Sequence, residues 1–190
     1  TKELTDTYGR FDTPLAGHPT IEVPGIEVNS GALGHGLPIG VGMAIAAKMD
    51  KKAWRTYVLM GDGEQGEGSI YEAAMAGSHY KLDNLVAIID RNGLQISDTT
   101  ANVMALEPIA DRWSAFGWDV QDINGDSMEA IMEAFEKIDY NCGKPHLIIS
   151  RTTKGNGVKL MENILKWHHG VPTAEEYEAA IAEIDDRIES

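Results

Sequence analysis

The sequence predicts an α/β protein: a mostly parallel sheet with helices on both faces. Three features lead there. Helix-like and strand-like patterns alternate from about residue 33 onward, the strand candidates are short apolar runs, and glycines cluster at the junctions between the two. The segment 85–89, Leu-Val-Ala-Ile-Ile, is apolar at every position, as expected of a strand buried on both sides.

Local patterning sets the elements one after another. The opening stretch, to about residue 30, contains Pro14, Pro19 and Pro24 and little periodicity, so it reads as irregular. It is poor material for starting a domain. A single domain over residues 1–190 is therefore expected, one that lacks its first elements. Residues 33–48 predict a helix rich in Ala, Gly and Met, and 54–60 a strand buried towards its end. Residues 69–80 form the next helix, with Ile70, Ala73, Ala74 and Gly77 spaced along one face. A helix over 108–116 and a short strand over 118–123 follow. Ser127 caps a helix over 127–138. The last strand is 145–151, and the last helix, 173–188, opens with Thr173 and Glu176 as a capping box.

Charge and cysteine usage narrow the function classes. Thirty acidic against 16 basic side chains give a net charge of -14, which disfavours nucleic acid and anionic membranes as partners. No apolar run approaches the roughly 18 residues that span a bilayer. Cys142 stands alone, so no intrachain disulfide forms, and a reducing cytoplasmic location is expected. No activating residue is evident around Cys142, which reads as inert. So acidic a chain can hold a phosphorylated ligand only with local help, from a cation or from backbone N–H groups.

Ligands of open α/β sheets sit beyond the carboxyl ends of the strands. Two segments fall there: Gly61-Asp62-Gly63-Glu64-Gln65-Gly66, and Asp90-Arg91-Asn92-Gly93. The first spells the G-x-G-x-x-G of dinucleotide sites, with Asp90 available for a ribose. Charge argues against that reading, because the loop carries Asp62, Glu64 and Glu67. A bare carboxylate about 4 Å from a phosphate costs on the order of 4 kcal/mol at an effective dielectric near 20. A divalent cation between them reverses the sign. Asp62 offers a carboxylate and Asn92 an amide oxygen, so the pattern reads as a Mg²⁺-diphosphate site. The plain rival is a pair of turn residues beside glycines. For Glu67 it is an acid favoured by a helix dipole.

The wider pattern resembles the transketolases. Gly61-Asp62-Gly63 followed after 28 residues by Asn92 matches the thiamine-diphosphate motif. Gly17-His18-Pro19, Gly31-Ala32-Leu33-Gly34-His35-Gly36, the run from Glu67-Gly68 through Glu72-Ala73 to Ala76-Gly77, Thr153-Lys154-Gly155 and His169-Gly170 follow in the family's order. The resemblance implies thiamine diphosphate held through Mg²⁺, or Ca²⁺ or Mn²⁺ in its place. Asp62, Asn92 and the main-chain oxygen of Leu94 would be the metal ligands. Gly61 and Gly63 would lie against the diphosphate, Leu33 against the thiamine, and His169 would reach the diphosphate. It further implies that His18 contacts the donor ketose, and that Glu67 couples two cofactors across a subunit interface. His168 reads as a bystander; His35, in place of a family Gln, and the helix residue Glu72 have no settled role. Gly9, Arg10 and Thr20 depart from the family pattern near His18.

The resemblance covers the diphosphate-binding half only. The chain looks most like the N-terminal subunit of a split transketolase, within a homo- or hetero-oligomer. A C-terminal subunit would carry the pyrimidine-binding domain and the activating Glu. The implied reaction moves a two-carbon ketol unit from a ketose phosphate to an aldose. The alternatives are a deoxyxylulose-phosphate synthase-like or 2-oxoacid dehydrogenase α-like enzyme, or an assembly subunit without turnover.

Overall fold

The computed structural model describes residues 2–189. A short helix α1 (Lys2–Thr5) precedes an irregular stretch, as the prolines predict. Then come α2 (Gly36–Met49), β1 (Thr56–Gly61), α3 (Gly68–His79) and β2 (Leu85–Arg91). A small hairpin of β3 (Leu94–Gln95) and β4 (Asp98–Thr99) leads into α4 (Thr100–Val103). The chain continues through α5 (Ile109–Ala115), β5 (Asp119–Asn124), α6 (Met128–Glu136), β6 (His146–Arg151) and α7 (Ala174–Glu189). Four strands make one parallel sheet in the order β1-β2-β6-β5.

Most predicted elements stand within two or three residues of their expected bounds, and the caps explain why. Ser127 Oγ accepts from the Ala130 amide and starts α6. Thr173 and Glu176 exchange both bonds of a capping box at α7. The helix α2 starts at Gly36 rather than 33, because Gly31 and Gly34 both take positive φ and keep the chain out of a helix there.

The core lies on both faces of the sheet, unequally. On one face α2, α3 and α5 bury Leu37, Ala44, Ile70, Ala74 and Trp113 against Val58, Met60, Ala87, Ile89, Leu147 and Ile149. On the other, α6 covers Val86, Ile148 and their neighbours with Ala134, while Ile138 just beyond it joins the cluster. That cover thins at β1, where the Phe135 ring stands 6.1 Å from the Tyr57 ring. Strand β1 therefore alternates instead of becoming buried towards its end: Val58 and Met60 are buried, whereas Tyr57 and Leu59 are 50% and 73% exposed. Among the described residues it is an edge strand, paired with β2 alone.

Candidate functional site

The parallel register places the carboxyl ends of three neighbouring strands side by side. Gly61 pairs with Asp90, and Asp90 with Ser150. The loops that follow β1, β2 and β6 therefore converge, which brings Asp62, Asn92 and Lys154 to one edge although they lie far apart in sequence.

Asp62 is 1% exposed and anchors this edge. Its Oδ1 accepts from the Gly63 amide at 2.7 Å. Its Oδ2 accepts from the Gly93 amide at 2.7 Å and from Arg91 Nη1 at 2.9 Å. The carboxylate thus ties the loop after β1 to the loop after β2. Asn92 Oδ1 accepts from the Leu94 amide and its Nδ2 donates to Asp90. Between Asn92 and Leu94 the chain turns at Gly93, whose φ of +83° a side chain would disfavour. Asp90 in turn accepts from Thr152 Oγ1.

These residues fit a hard divalent cation. The three predicted ligands supply only oxygens: one carboxylate, one amide and one main-chain carbonyl. Among the described residues no group of three or more His, Cys, Asp or Glu could hold a metal ion. A cation here would rely on one charged side chain and complete its shell with ligand oxygens and water, the habit of Mg²⁺.

A cleft of about 160 Å³ opens beside this edge, lined by Leu33, Asn92, Leu94, Lys154 and His168 together with Gly61, Gly63 and Glu64. Leu33 is 55% exposed, so it is a cleft wall and not a core residue. Glu64, expected to stand bare before a ligand, is instead held: its carboxylate accepts from the Gly34 amide at 2.8 Å and the Gly61 amide at 3.1 Å. The Gly63 amide, expected to be free for phosphate, donates to Asp62. Gly63 is needed for another reason, since a Cβ there would come within 2.9 Å of the Gln95 side chain. Those bonds also weaken the dinucleotide reading. The G-x-G-x-x-G segment folds as a 3₁₀ turn (Gly63–Gly66), and Asp90 is engaged by Thr152 and Asn92.

Other predicted residues lie around the cleft. His18 is exposed and its ring packs on Gly31, where a Cβ would come within 2.3 Å. Glu67 is exposed at the start of α3 and makes no capping bond. His169 stacks edge-on against His168 at 4.5 Å, and it is His168, a bystander by sequence, that lines the cleft. Burial, then the charge of Lys154 and the neighbouring His169, hold the His168 imidazole below its ordinary 6.5.

Sequence reasoning misses the roles of Arg91, Glu64 and Lys154. Lys154 stands in the sequence only as the middle of a Thr-Lys-Gly run, and a lone cation in an acidic chain facing a cleft is the signal that raises it. Cys142 also has a neighbour that its sequence context hides: its Sγ lies 3.8 Å from His146 Nε2, and His146 Nδ1 faces Asp119 at 3.1 Å.

Comparison with known proteins agrees with this geometry. Residues 3–184 match the family described as transketolase, thiamine diphosphate binding domain. An apulose-4-phosphate transketolase subunit of Phocaeicola vulgatus is 71% identical over 188 residues, which is 99% of this chain and 67% of that protein. A 6-deoxy-6-sulfo-D-fructose transketolase subunit of Clostridium sp. strain MSTE9 is 41% identical over 96% of this chain and 67% of its own. The crystal structure of Campylobacter jejuni transketolase superposes with a TM-score of 0.89 at 32% identity, covering 96% of this chain and 30% of that one. The chain thus spans about two thirds of the length of the two subunits it matches. Among the described residues no helix is long and apolar enough to cross a membrane.

Proposed function

The chain belongs to the transketolase family, and from that premise we propose that it forms the diphosphate-binding part of a split transketolase. It works in the cytoplasm with a separate chain that supplies the pyrimidine-binding domain. The observation that carries this reading is the juxtaposition of buried Asp62 with Asn92 and Leu94 across two adjacent strands. The cleft beside them supports it, since Gly61, Gly63, Lys154 and His168 all stand in its lining.

When bound, thiamine diphosphate supplies the carbanion chemistry that lets a ketose give up two carbons. The protein supplies position and charge. Asp62, Asn92 and the Leu94 carbonyl would hold the cation, Mg²⁺ by preference, and Lys154 and His168 line the cleft for the anionic end, with the His169 ring stacked on His168. Leu33 presents an apolar wall. His18 lies beyond the cleft lining, where it serves hydroxyl groups of the sugar as hydrogen-bond donor and proton carrier. Glu67, exposed in this chain, is available to a second subunit. The relatives' names carry apulose 4-phosphate and 6-deoxy-6-sulfo-D-fructose, each a sugar with an anionic group. The substrate class proposed here is accordingly a ketose bearing a terminal anion.

The test is a calorimetric titration of thiamine diphosphate with Mg²⁺ and with EDTA, followed by a ketol-transfer assay with the partner chain present. Metal-dependent binding and partner-dependent transfer are expected. Binding that ignores the metal would sink the reading. Turnover with pyruvate but with no sugar phosphate would move it to the dehydrogenase-like alternative.

A further inference from the structure

We propose that Arg91 is a built-in counter-cation of the metal site, which makes the site stable when empty and admits a divalent ion only together with a diphosphate. The inference rests on the reading of Asp62 as a metal ligand.

The guanidinium is not a loose surface group. Its side chain is 12% exposed and fixed on three sides. Nη1 donates to Asp62 Oδ2 at 2.9 Å and to Thr100 Oγ1 at 2.9 Å, and Thr100 is itself 1% exposed. Nε and Nη2 both point at Glu107 Oε1, at 3.4 Å. Arg91 therefore bridges the loop after β1, the start of α4 and the approach to α5. A charged carboxylate buried as deeply as Asp62 costs heavily unless it is paired. Two amides and one guanidinium occupy the carboxylate, and that guanidinium, which Glu107 shares, offsets its charge.

Binding feels the difference. A bare divalent ion reaching Asp62 meets a carboxylate whose charge is already partly offset, and a fixed positive group on one of its oxygens. The remaining predicted ligands, Asn92 and the Leu94 carbonyl, are neutral. Like charges this close in a partly buried site repel strongly. A diphosphate brings the missing negative charge, so cation and diphosphate are favoured as a pair and the cation alone is not. Arg91 is thus a positioning residue that acts through Asp62, and it sets the order of assembly of the site.

The experiment measures Mn²⁺ binding to the assembled protein by electron paramagnetic resonance, with and without thiamine diphosphate, alongside the thermal midpoint of the metal-free form. The wild type should bind Mn²⁺ weakly alone and tightly with the cofactor. In Arg91→Met the affinity for Mn²⁺ alone should rise on the order of 10-fold or more. Its metal-free midpoint should fall, and Mn²⁺ alone should restore it. Arg91→Lys keeps the charge and loses the fork, so its affinity for Mn²⁺ alone should stay near wild type. Should metal-free Arg91→Met fail to fold, folding on addition of Mn²⁺ alone supports the proposal, and failure to fold with Mn²⁺ overturns it. Unchanged or weaker binding of Mn²⁺ alone by Arg91→Met overturns it, as does Arg91→Lys behaving like Arg91→Met. A wild type that binds no metal even with cofactor would instead defeat the metal-site reading itself.

Discussion

Asp62 accepts three hydrogen bonds from two loops while it is 1% exposed, so its removal has two effects that can be separated. Asp62→Ala takes away the single charged ligand of the proposed cation. It also leaves the Gly63 and Gly93 amides without that acceptor and takes one of three partners from Arg91, which keeps Thr100 and Glu107, at a cost of about 1–3 kcal/mol, the range for a buried group left unsatisfied. Metal-dependent cofactor binding should vanish in calorimetry, and the unfolding free energy should fall by about that amount; affinity unchanged in EDTA would remove the metal reading. His18 calls for a different pattern, since its ring packs on Gly31 and lies outside the cleft lining. His18→Ala should lower ketol transfer by about 10²-fold, within the range of general acid–base contributions, and leave cofactor binding nearly intact. Gly31 sits at φ +114° and touches the same ring, so Gly31→Ala should reproduce that rate loss by displacing the imidazole. If Gly31→Ala keeps the wild-type rate, the ring is not held for catalysis.

Secondary elements position these residues through their ends, and Glu107 shows how. Its Oε2 accepts from the Ile109 amide at the start of α5, and its Oε1 takes Arg91 and Arg151. The Ile109 amide first, then the Arg151 and Arg91 guanidiniums, hold the Glu107 carboxyl below its ordinary 4.5 against partial burial. A depressed carboxyl contributes stability that is fully present above its unfolded value and lost as pH falls through the folded one. As pH falls through 4.5 and below, the wild type should therefore lose stability more steeply than Glu107→Gln in denaturant titrations; parallel slopes would remove Glu107 from the acid response. Such ties are what the sequence conceals. The strand at 85–89, which the structure extends to Arg91, is legible because its apolar run is continuous, and α6 and α7 because Ser127, Thr173 and Glu176 mark their starts. Asp62 and Asn92 are legible as a pair because each follows a predicted strand and has a glycine after it. The hairpin of β3 and β4 is not, since two-residue strands carry no periodicity. Nor is the Arg91–Asp62 pair, whose members are 29 residues apart and meet only because β1 and β2 lie side by side.

Across the molecule, the same edge-strand position that places Asp62 leaves an apolar surface open. The chain carries a net charge of -14, enough to discourage indiscriminate association. Yet a groove of about 440 Å³ runs between α2 and β1, and Ile39, Met43, Tyr57 and Leu59 line it. All four are more than a third exposed, and among the described residues β1 has no strand beyond it. An unpaired edge beside exposed apolar side chains is a template for association. A 190-residue polypeptide of this sequence, purified alone, should therefore sediment as associated species and bind a hydrophobic dye. Leu59, at 73%, is the most exposed of the four, and its side chain leaves the sheet on the uncovered face. Leu59→Lys should reduce both signals without changing the circular dichroism, because it removes apolar area and adds a charge to the edge. The proposed function adds that the polypeptide alone should show no ketol transfer, since the cofactor's other half and its activating Glu belong to the partner. Association that Leu59→Lys leaves untouched would mean that another surface drives it. Full transfer by the isolated polypeptide would overturn the split-enzyme proposal, whatever its state of association.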